Sequence, residues 1–177
     1  MLLRLREGRL GKEYNVSLTG RRTAGRDPWV WGQLALGLLV VGGVPLLAAR
    51  LGTADATGLA RWTGIVGLAV GCLTMLAGAA TLGPNLTPAT QPLPDGRLVT
   101  TGPYRLVRHP IYFGVVLVFA GYATLRGGWW FGGAVFILAL AYFERKARVE
   151  ERWMEELDPR YRDYRARVPR ILPGGWR

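Results

Sequence analysis

Long stretches of the sequence carry no charge, and this pattern predicts helices that cross a membrane. No charged residue lies in residues 28–49 or in residues 62–94. An apolar run of about 20 residues is long enough to cross a bilayer as a helix. Residues 29–49 and 62–83 meet this requirement, so each is predicted to form one transmembrane helix.

A third apolar window, residues 110–143, is longer than one span and too short for two relaxed ones. Its only charge is Arg126, which is followed by two glycines and divides the window into residues 110–125 and 129–143. We therefore predict a tight hairpin that starts at Pro110, because proline is favoured at the first position of a helix. Together with the earlier spans, this predicts an all-α membrane protein with about four transmembrane helices.

Basic residues are concentrated at particular ends of the predicted spans, which sets the expected orientation. Residues 1–27 hold seven Lys and Arg and residues 144–177 hold ten, whereas residues 50–61 hold two. Because Lys and Arg accumulate on the cytoplasmic side, both termini are expected there, at the inner membrane if the protein is bacterial. The net charge of +11 is thus explained by the membrane flanks, and it does not indicate nucleic-acid binding.

Glycines in the second window allow two interpretations. Gly64, Gly67, Gly71 and Gly78 can form a face that lets another helix approach closely. Glycine is also common in membrane helices without any such role. The sequence favours neither interpretation.

Outside the apolar windows, the chain divides into polar segments of a single predicted domain, residues 1–177. The N-terminal residues 1–27 are polar and basic, and LLRLREGRL at residues 2–10 is expected to form a short strand or an interfacial helix. Two spans follow in residues 28–83, and residues 84–173 contain a proline-rich loop, the hairpin and a charged tail. Ala141 to Leu157 lacks Gly and Pro, so it should continue the last span as a cytoplasmic helix. One histidine and one cysteine are too few for a metal site.

The densest polar cluster, GPYRLVRHPIYFG at residues 102–114, lies directly before the hairpin. A helix that starts at Pro110 directs its free amides toward this cluster, and Arg105 and Arg108 add positive charge, so the segment can attract anionic groups. Arg, Tyr and His are equally at home at the level of the lipid headgroups. The residue types alone therefore leave both a binding site and an interfacial anchor open.

Two motifs of the chain resemble those of a known family. GPYRLVRHPIY resembles the signature of the integral-membrane methyltransferases that include isoprenylcysteine carboxyl methyltransferase and the phospholipid N-methyltransferases. About forty residues later, VEERWMEELDPRYRDYRARVP resembles the family's second signature, a Glu pair followed by spaced tyrosines. With the preceding loop DGRLVTTGPY, the resemblance covers residues 84–173.

The resemblance implies the use of S-adenosyl-L-methionine without a Rossmann fold, and no G-x-G-x-x-G follows a predicted strand. It also implies the cofactor-binding residues, which are Arg97, Leu98, Val99, Tyr104, His109, Pro110, Ile111, Tyr112 and Glu150. On the same basis the acceptor would contact Lys146, with Arg145 and Arg148 beside it. The catalytic candidates are His109, Arg108 and Glu150.

The sequence departs from the family pattern at two places. Lysine stands at position 146, where the resemblance implies arginine, and Asp158-Pro159 replaces the usual Phe-Gly. The Glu pair is also typical of a solvated salt-bridge face on a charged helix. Glu151, which is turned about 100° around the helix from Glu150, is expected to tolerate Gln better than Glu150 does if it faces solvent.

The most specific function that the resemblance implies is methyl transfer from S-adenosylmethionine to a lipid-like or small apolar acceptor that arrives from the bilayer, as in isoprenylcysteine carboxyl methyltransferase. One alternative is N-methylation of a phospholipid amine. Another is a membrane protein that binds lipid or a partner without catalysis. A transporter is disfavoured because no ionisable residue lies inside a predicted span.

Overall fold

The computed structural model describes residues 24–53, 55–93 and 97–174, and the regular structure of these residues is entirely helical. Three helices are long and apolar enough to cross a membrane: α1 (Pro28–Arg50), α2 (Gly58–Leu82) and α3 (Pro110–Leu157). A short helix, α4 (Tyr161–Arg167), follows. Single turns of 3₁₀ helix lie at Ala24–Arg26, Gly83–Asn85 and Gly102–Arg105. The predicted N-terminal strand or helix, residues 2–10, lies outside the described residues.

Helix α3 turns back on itself at Gly128, as the sequence predicts. Gly128 has φ 78° and ψ −167°, a backbone conformation that only glycine adopts without strain. The rings of Tyr112 and Phe143 lie 5.0 Å apart, whereas a straight helix would separate them by roughly 45 Å. We call residues 110–127 the first arm of α3 and residues 129–157 its second arm. The number of membrane crossings, predicted as four, stays a prediction.

Helix α2 packs against the first arm through glycines, which decides between the two interpretations of these residues. Gly64, Gly71 and Gly78 are buried. A Cβ atom on Gly71 would lie 2.7 Å from the carbonyl oxygen of Gly114, and a Cβ atom on Gly114 would lie 2.6 Å from that of Gly71. The two backbones therefore approach too closely for any side chain, and the packing face is confirmed.

Helix α1 lies against both arms and is locally wound as a π-helix at Leu39–Gly43. Proline at position 45 has no amide hydrogen to donate to the carbonyl of Val41. The hydroxyl of Tyr122 on the first arm donates a hydrogen bond to that carbonyl at 3.0 Å instead. A backbone acceptor freed by proline is thus satisfied by a neighbouring helix, as lipid surroundings require.

The two ends of α3 match the sequence prediction closely. The helix begins at Pro110, and its second arm continues without interruption to Leu157, immediately before Asp158-Pro159. Beyond this point α4 brings the chain back toward the start of α3, where Tyr161, Tyr164 and Ile171 are buried. The tail, residues 158–174, therefore packs onto the end of the hairpin that lies opposite its turn. We call this end the open end.

Candidate active site

His109 is held at the start of α3 by the C-terminal tail. As the residue before proline, it has the non-helical angles φ −125° and ψ 66°. The amides of Arg108 and His109 donate hydrogen bonds to the carbonyls of Pro169 and Arg170, both at 2.9 Å. Both sides of the proline junction are thus fixed, and the imidazole projects from a rigid backbone.

The Glu pair of the second arm meets this imidazole across the hairpin. His109 Nε2 lies 3.2 Å from Glu151 Oε1, and His109 Nδ1 lies 3.8 Å from Glu150 Oε2. The hydroxyl of Tyr112 donates a hydrogen bond of 2.6 Å to Glu150 Oε2. The rings of His109 and Tyr112 are stacked, with centroids 5.2 Å apart and planes at 3°. The two sequence motifs, 38 residues apart at Tyr112 and Glu150, therefore form one cluster.

Glu151 does not face solvent, the condition on which its tolerance of Gln was predicted, because this residue is only 2% exposed. Its carboxylate accepts hydrogen bonds from Arg108 Nε at 2.8 Å and from Arg170 Nε at 3.0 Å, in addition to its contact with His109. The expectation considered the helix alone, whereas the tail covers the side of the second arm on which Glu151 lies. The arginines offset the cost of burying the carboxylate, so Glu151 does not belong to a solvated salt-bridge face.

Arg108 lies behind His109 and binds the tail. Its Nη1 donates hydrogen bonds to the carbonyls of Val168 and of Arg165, the latter at 2.8 Å, and these carbonyls lie at the C-terminal end of α4. A cation is favourable at this end of a helix. Nη2 of Arg108 is the one buried side-chain nitrogen or oxygen without a hydrogen-bond partner in the described part of the chain.

Lys146 differs in its exposure from Arg145 and Arg148, which the resemblance placed beside it as contacts of the acceptor. It is 1% exposed, and its ammonium donates to Gln33 Oε1 at 2.7 Å and to the carbonyl of Pro88 at 3.2 Å. It also lies 5.2 Å from the centre of the Tyr112 ring, within the range of a cation–π contact. Arg145 and Arg148 are exposed on the same helix. Only Lys146 of the three therefore joins the cluster.

The loop before the first motif is closed at its base by one side chain. Nδ2 of Asn85 donates to the carbonyl of Arg97 at 3.2 Å, and the amide of Arg97 donates to Asn85 Oδ1 at 3.3 Å. Leu98 and Val99 are half-buried, and Arg97 is exposed. None of the hydrogen bonds described for these three residues joins them to the His109–Glu150 cluster.

Tyr104, Pro110 and Ile111 lie on the side of the site that faces α2. The Tyr104 hydroxyl is 3.5 Å from the carbonyl of Gly78, and the Tyr104 carbonyl accepts a bond of 2.6 Å from Tyr164. Burial and the charge of Glu150 raise the pKa of Tyr104 to about 12, so the phenol stays protonated. Pro110 is buried, and Ile111 packs beside Gly78. These residues chiefly fix how α2, the motif and the tail meet.

Comparison with known protein families identifies the family to which the chain belongs. The sequence model of the phospholipid methyltransferase family matches residues 59–158, more than half of the chain. The chain belongs to the phospholipid methyltransferase family. Membership indicates a membrane methyltransferase, in agreement with the three apolar helices. A comparison with curated proteins gave no match.

The part of the chain that matches the phospholipid methyltransferase family contains the first motif and the Glu pair of the second, but not the spaced tyrosines of the second motif or all residues of the cluster. It includes His109, Tyr112, Lys146 and the Glu pair, and it excludes α1 and α4. Sequence reasoning missed Gln33, which contacts Lys146 from α1. Its signal was present, because Gln33 is the only strongly polar side chain in the apolar window of residues 28–49.

Proposed function

We propose that the protein transfers a methyl group from S-adenosylmethionine to a lipid-like acceptor, at the end of the α3 hairpin where the motifs meet. The observation that carries this proposal is the pairing of Tyr112 with Glu150 and of His109 with Glu151, at 2.6 and 3.2 Å. Structural anchoring alone does not require both motifs of a methyltransferase family to converge on one histidine.

The residues present fit the chemical groups of S-adenosylmethionine. Glu150 is 26% exposed at its side chain and accepts one hydrogen bond from Tyr112, so oxygen lone pairs remain for an ammonium or a ribose hydroxyl. The rings of Tyr112 and His109 offer aromatic surface for the adenine or the sulfonium. The unpartnered Nη2 of Arg108 is a donor suited to a carboxylate. When bound, S-adenosylmethionine supplies an electrophilic methyl group.

His109 can act in this site as a base as well as a contact. A carboxylate that already accepts bonds from two arginines only accepts, so Nε2 of His109, next to Glu151, carries a proton, and in the neutral imidazole Nδ1 carries none. Nδ1 then presents its lone pair on the side of Glu150. An amine acceptor must lose a proton before or during methylation, and this nitrogen can receive it. A carboxylate or thiolate acceptor needs no such step near neutral pH.

We propose an acceptor of the isoprenylcysteine type, with Lys146 on the acceptor side of the site. The support is the buried ammonium of Lys146, whose partners among the described residues are neutral oxygens, so that it suits an anionic acceptor. The second candidate is N-methylation of a phospholipid amine, which the family match favours. In that case the base role of His109 would be needed.

One experiment separates these candidates. Membranes that contain the protein are incubated with methyl-labelled S-adenosylmethionine, and the lipid extract is analysed by mass spectrometry. A label that mild alkali releases as methanol indicates a methyl ester. A label that stays on the headgroup nitrogen after this treatment indicates a methylated amine. A His109→Ala control shows whether the label depends on this site. Absence of label above that control, with the protein folded, would contradict the proposed methyl transfer.

We further propose that this end of the hairpin faces the cytoplasm, together with both termini. The support is the excess of Lys and Arg in residues 1–27 and 144–177. Reporter fusions at Arg177 and within residues 52–58 should then report opposite sides of the membrane. Reporters on the same side would contradict the proposed orientation.

A further inference from the structure

Two oppositely charged side chains are buried beside the proposed site without forming an ion pair. Asp27 and Lys146 are each 1% exposed. Within the described part of the chain, neither makes a salt bridge. Burying an unpaired charge is costly, so the groups that stabilise each one indicate what holds this part of the molecule together.

Asp27 uses both oxygens of its carboxylate. Oδ1 accepts the amide of Trp29 at 2.9 Å and thereby caps α1. Oδ2 accepts both the amide and the hydroxyl of Thr90, each at 2.7 Å. Burial alone would raise the pKa of Asp27, but the hydrogen bonds from Thr90 and Trp29 and the charge of Lys146 outweigh it and lower the pKa. The carboxylate is therefore ionised at neutral pH and ties the loop to the start of α1.

The same loop also contacts the buried cation. The carbonyl of Pro88, two residues before Thr90, accepts a hydrogen bond from Lys146 Nζ at 3.2 Å. Residues 88–90 thus lie between an anion on one side and a cation on the other. Because Asn85 closes the base of the loop through Arg97, the bonds to Asp27 and Lys146 fix its middle.

We propose that Asp27 is a positioning residue that acts on Lys146 through Thr90 and Pro88. By holding residues 88–90 against α1, it keeps the carbonyl of Pro88 on the ammonium and keeps that ammonium beside the ring of Tyr112. The use of this cation in methyl transfer rests on the proposed function. The positioning itself does not, and it is measured separately.

The chain contains only two lysines, Lys12 and Lys146, so the environment of Lys146 can be followed by acetylation and peptide mass spectrometry. The full chain in detergent micelles is treated with an N-hydroxysuccinimide acetate. We expect Asp27→Asn to raise the acetylation rate of Lys146 about tenfold, which corresponds to the loss of about one charge-assisted hydrogen bond. Thr90→Val, which removes only the hydroxyl, should give a smaller increase.

Matched controls separate this effect from general loosening of the protein. Asp55→Asn alters an exposed carboxylate that pairs with Arg126 at the turn of the hairpin. Thr63→Val removes an exposed hydroxyl whose hydrogen bond lies within α2. Both should leave the rate at Lys146 unchanged, and the rate at Lys12 serves as the internal reference. If Thr90→Val folds and acetylates like the parent, the proposed linkage is wrong, even where Asp27→Asn proves unstable.

A second readout distinguishes positioning from simple stabilisation. Asp27→Asn should bind S-adenosylhomocysteine with the parent's affinity and lose about tenfold in label transfer to membrane lipid at saturating S-adenosylmethionine. An equal loss of affinity and turnover would indicate a merely structural role and overturn the proposal. If the parent itself binds no S-adenosylhomocysteine, the proposed function fails, and the acetylation result still decides the role of Asp27.

Discussion

The two ends of the α3 hairpin carry ion pairs of nearly equal length in opposite environments. At the turn, Arg126 and Asp55 lie 2.9 Å apart with side chains 42% and 65% exposed. At the open end, Arg108 and Glu151 lie 2.8 Å apart with side chains 0% and 3% exposed. An exposed pair contributes little to stability, whereas a buried one is costly to break. Contact distance alone therefore says little about what a charge does in this protein.

The turn depends mainly on its backbone, whereas the open end adds buried side-chain contacts to its backbone hydrogen bonds. At the turn, Gly128 supplies the reversal, and the amide of Ala56 donates to the carbonyl of Leu125 at 2.8 Å. At the open end, Glu151 joins the motif to the tail through two arginines. We infer that the turn sets the shape of the hairpin and that the open end carries its chemistry.

Glu151→Gln should give the largest loss of stability. The variant leaves the buried Arg108 and Arg170 facing a neutral amide, and breaking a buried charge pair costs about 3–5 kcal/mol. The measurement is the free energy of unfolding, or the thermal midpoint, of the full chain in detergent. Glu156→Gln, an exposed carboxylate of the same helix, is the matched control. Equal midpoints for both variants would remove the distinction between a buried and an exposed carboxylate on this helix.

Glu150→Gln should reduce cofactor affinity with little loss of stability. Glu150 is the more exposed member of the pair, and within the described residues its short hydrogen bond is with Tyr112. Loss of a charge-assisted hydrogen bond of about 1.5–3 kcal/mol corresponds to a tenfold to hundredfold weaker binding of S-adenosylhomocysteine. Parent-like affinity in calorimetry would exclude Glu150 from the cofactor site. If Glu150→Gln instead lost stability and kept normal affinity, the roles proposed for Glu150 and Glu151 would have to be exchanged.

Gly128→Ala should strain the turn and spare the chemistry. An alanine at φ 78° and ψ −167° costs about 1–3 kcal/mol, and the open end lies at the other end of the arms. We expect a lower thermal midpoint and an unchanged affinity for S-adenosylhomocysteine. Gly133→Ala, where a Cβ atom meets nothing within 4 Å, controls for the change of residue type. A large loss of affinity in Gly128→Ala alone would show that the two ends are coupled.

Asp55→Asn should have the smallest effect of the series. Its partner Arg126 is exposed, and such pairs contribute roughly 0–1 kcal/mol. The thermal midpoint should stay close to that of the parent and should not respond differently to added salt. A loss comparable to that of Glu151→Gln would show that the turn depends on charge as much as the open end does.

Features set by neighbouring residues were predictable from the sequence, whereas contacts between distant segments were not. Pro110, Gly128 and the stop after Leu157 follow from local backbone chemistry, and the structure confirms all three. The burial of Glu151 depends on Arg170 and on the tail that carries it. The contact of Gln33 with Lys146 joins residues 113 positions apart. Helical periodicity gives the angle between Glu150 and Glu151, but only the packed tail decides which of them is covered.

Calorimetric titration of S-adenosylhomocysteine into the purified full chain tests most directly whether the open end of the hairpin is a cofactor site. The parent should bind with one site per chain, and His109→Ala should bind at least about tenfold more weakly, because His109 stacks on Tyr112 and contacts both carboxylates. The thermal midpoint of each protein is measured alongside to establish folding. Parent-like binding by a folded His109→Ala variant, or no binding by the folded parent, would contradict this account.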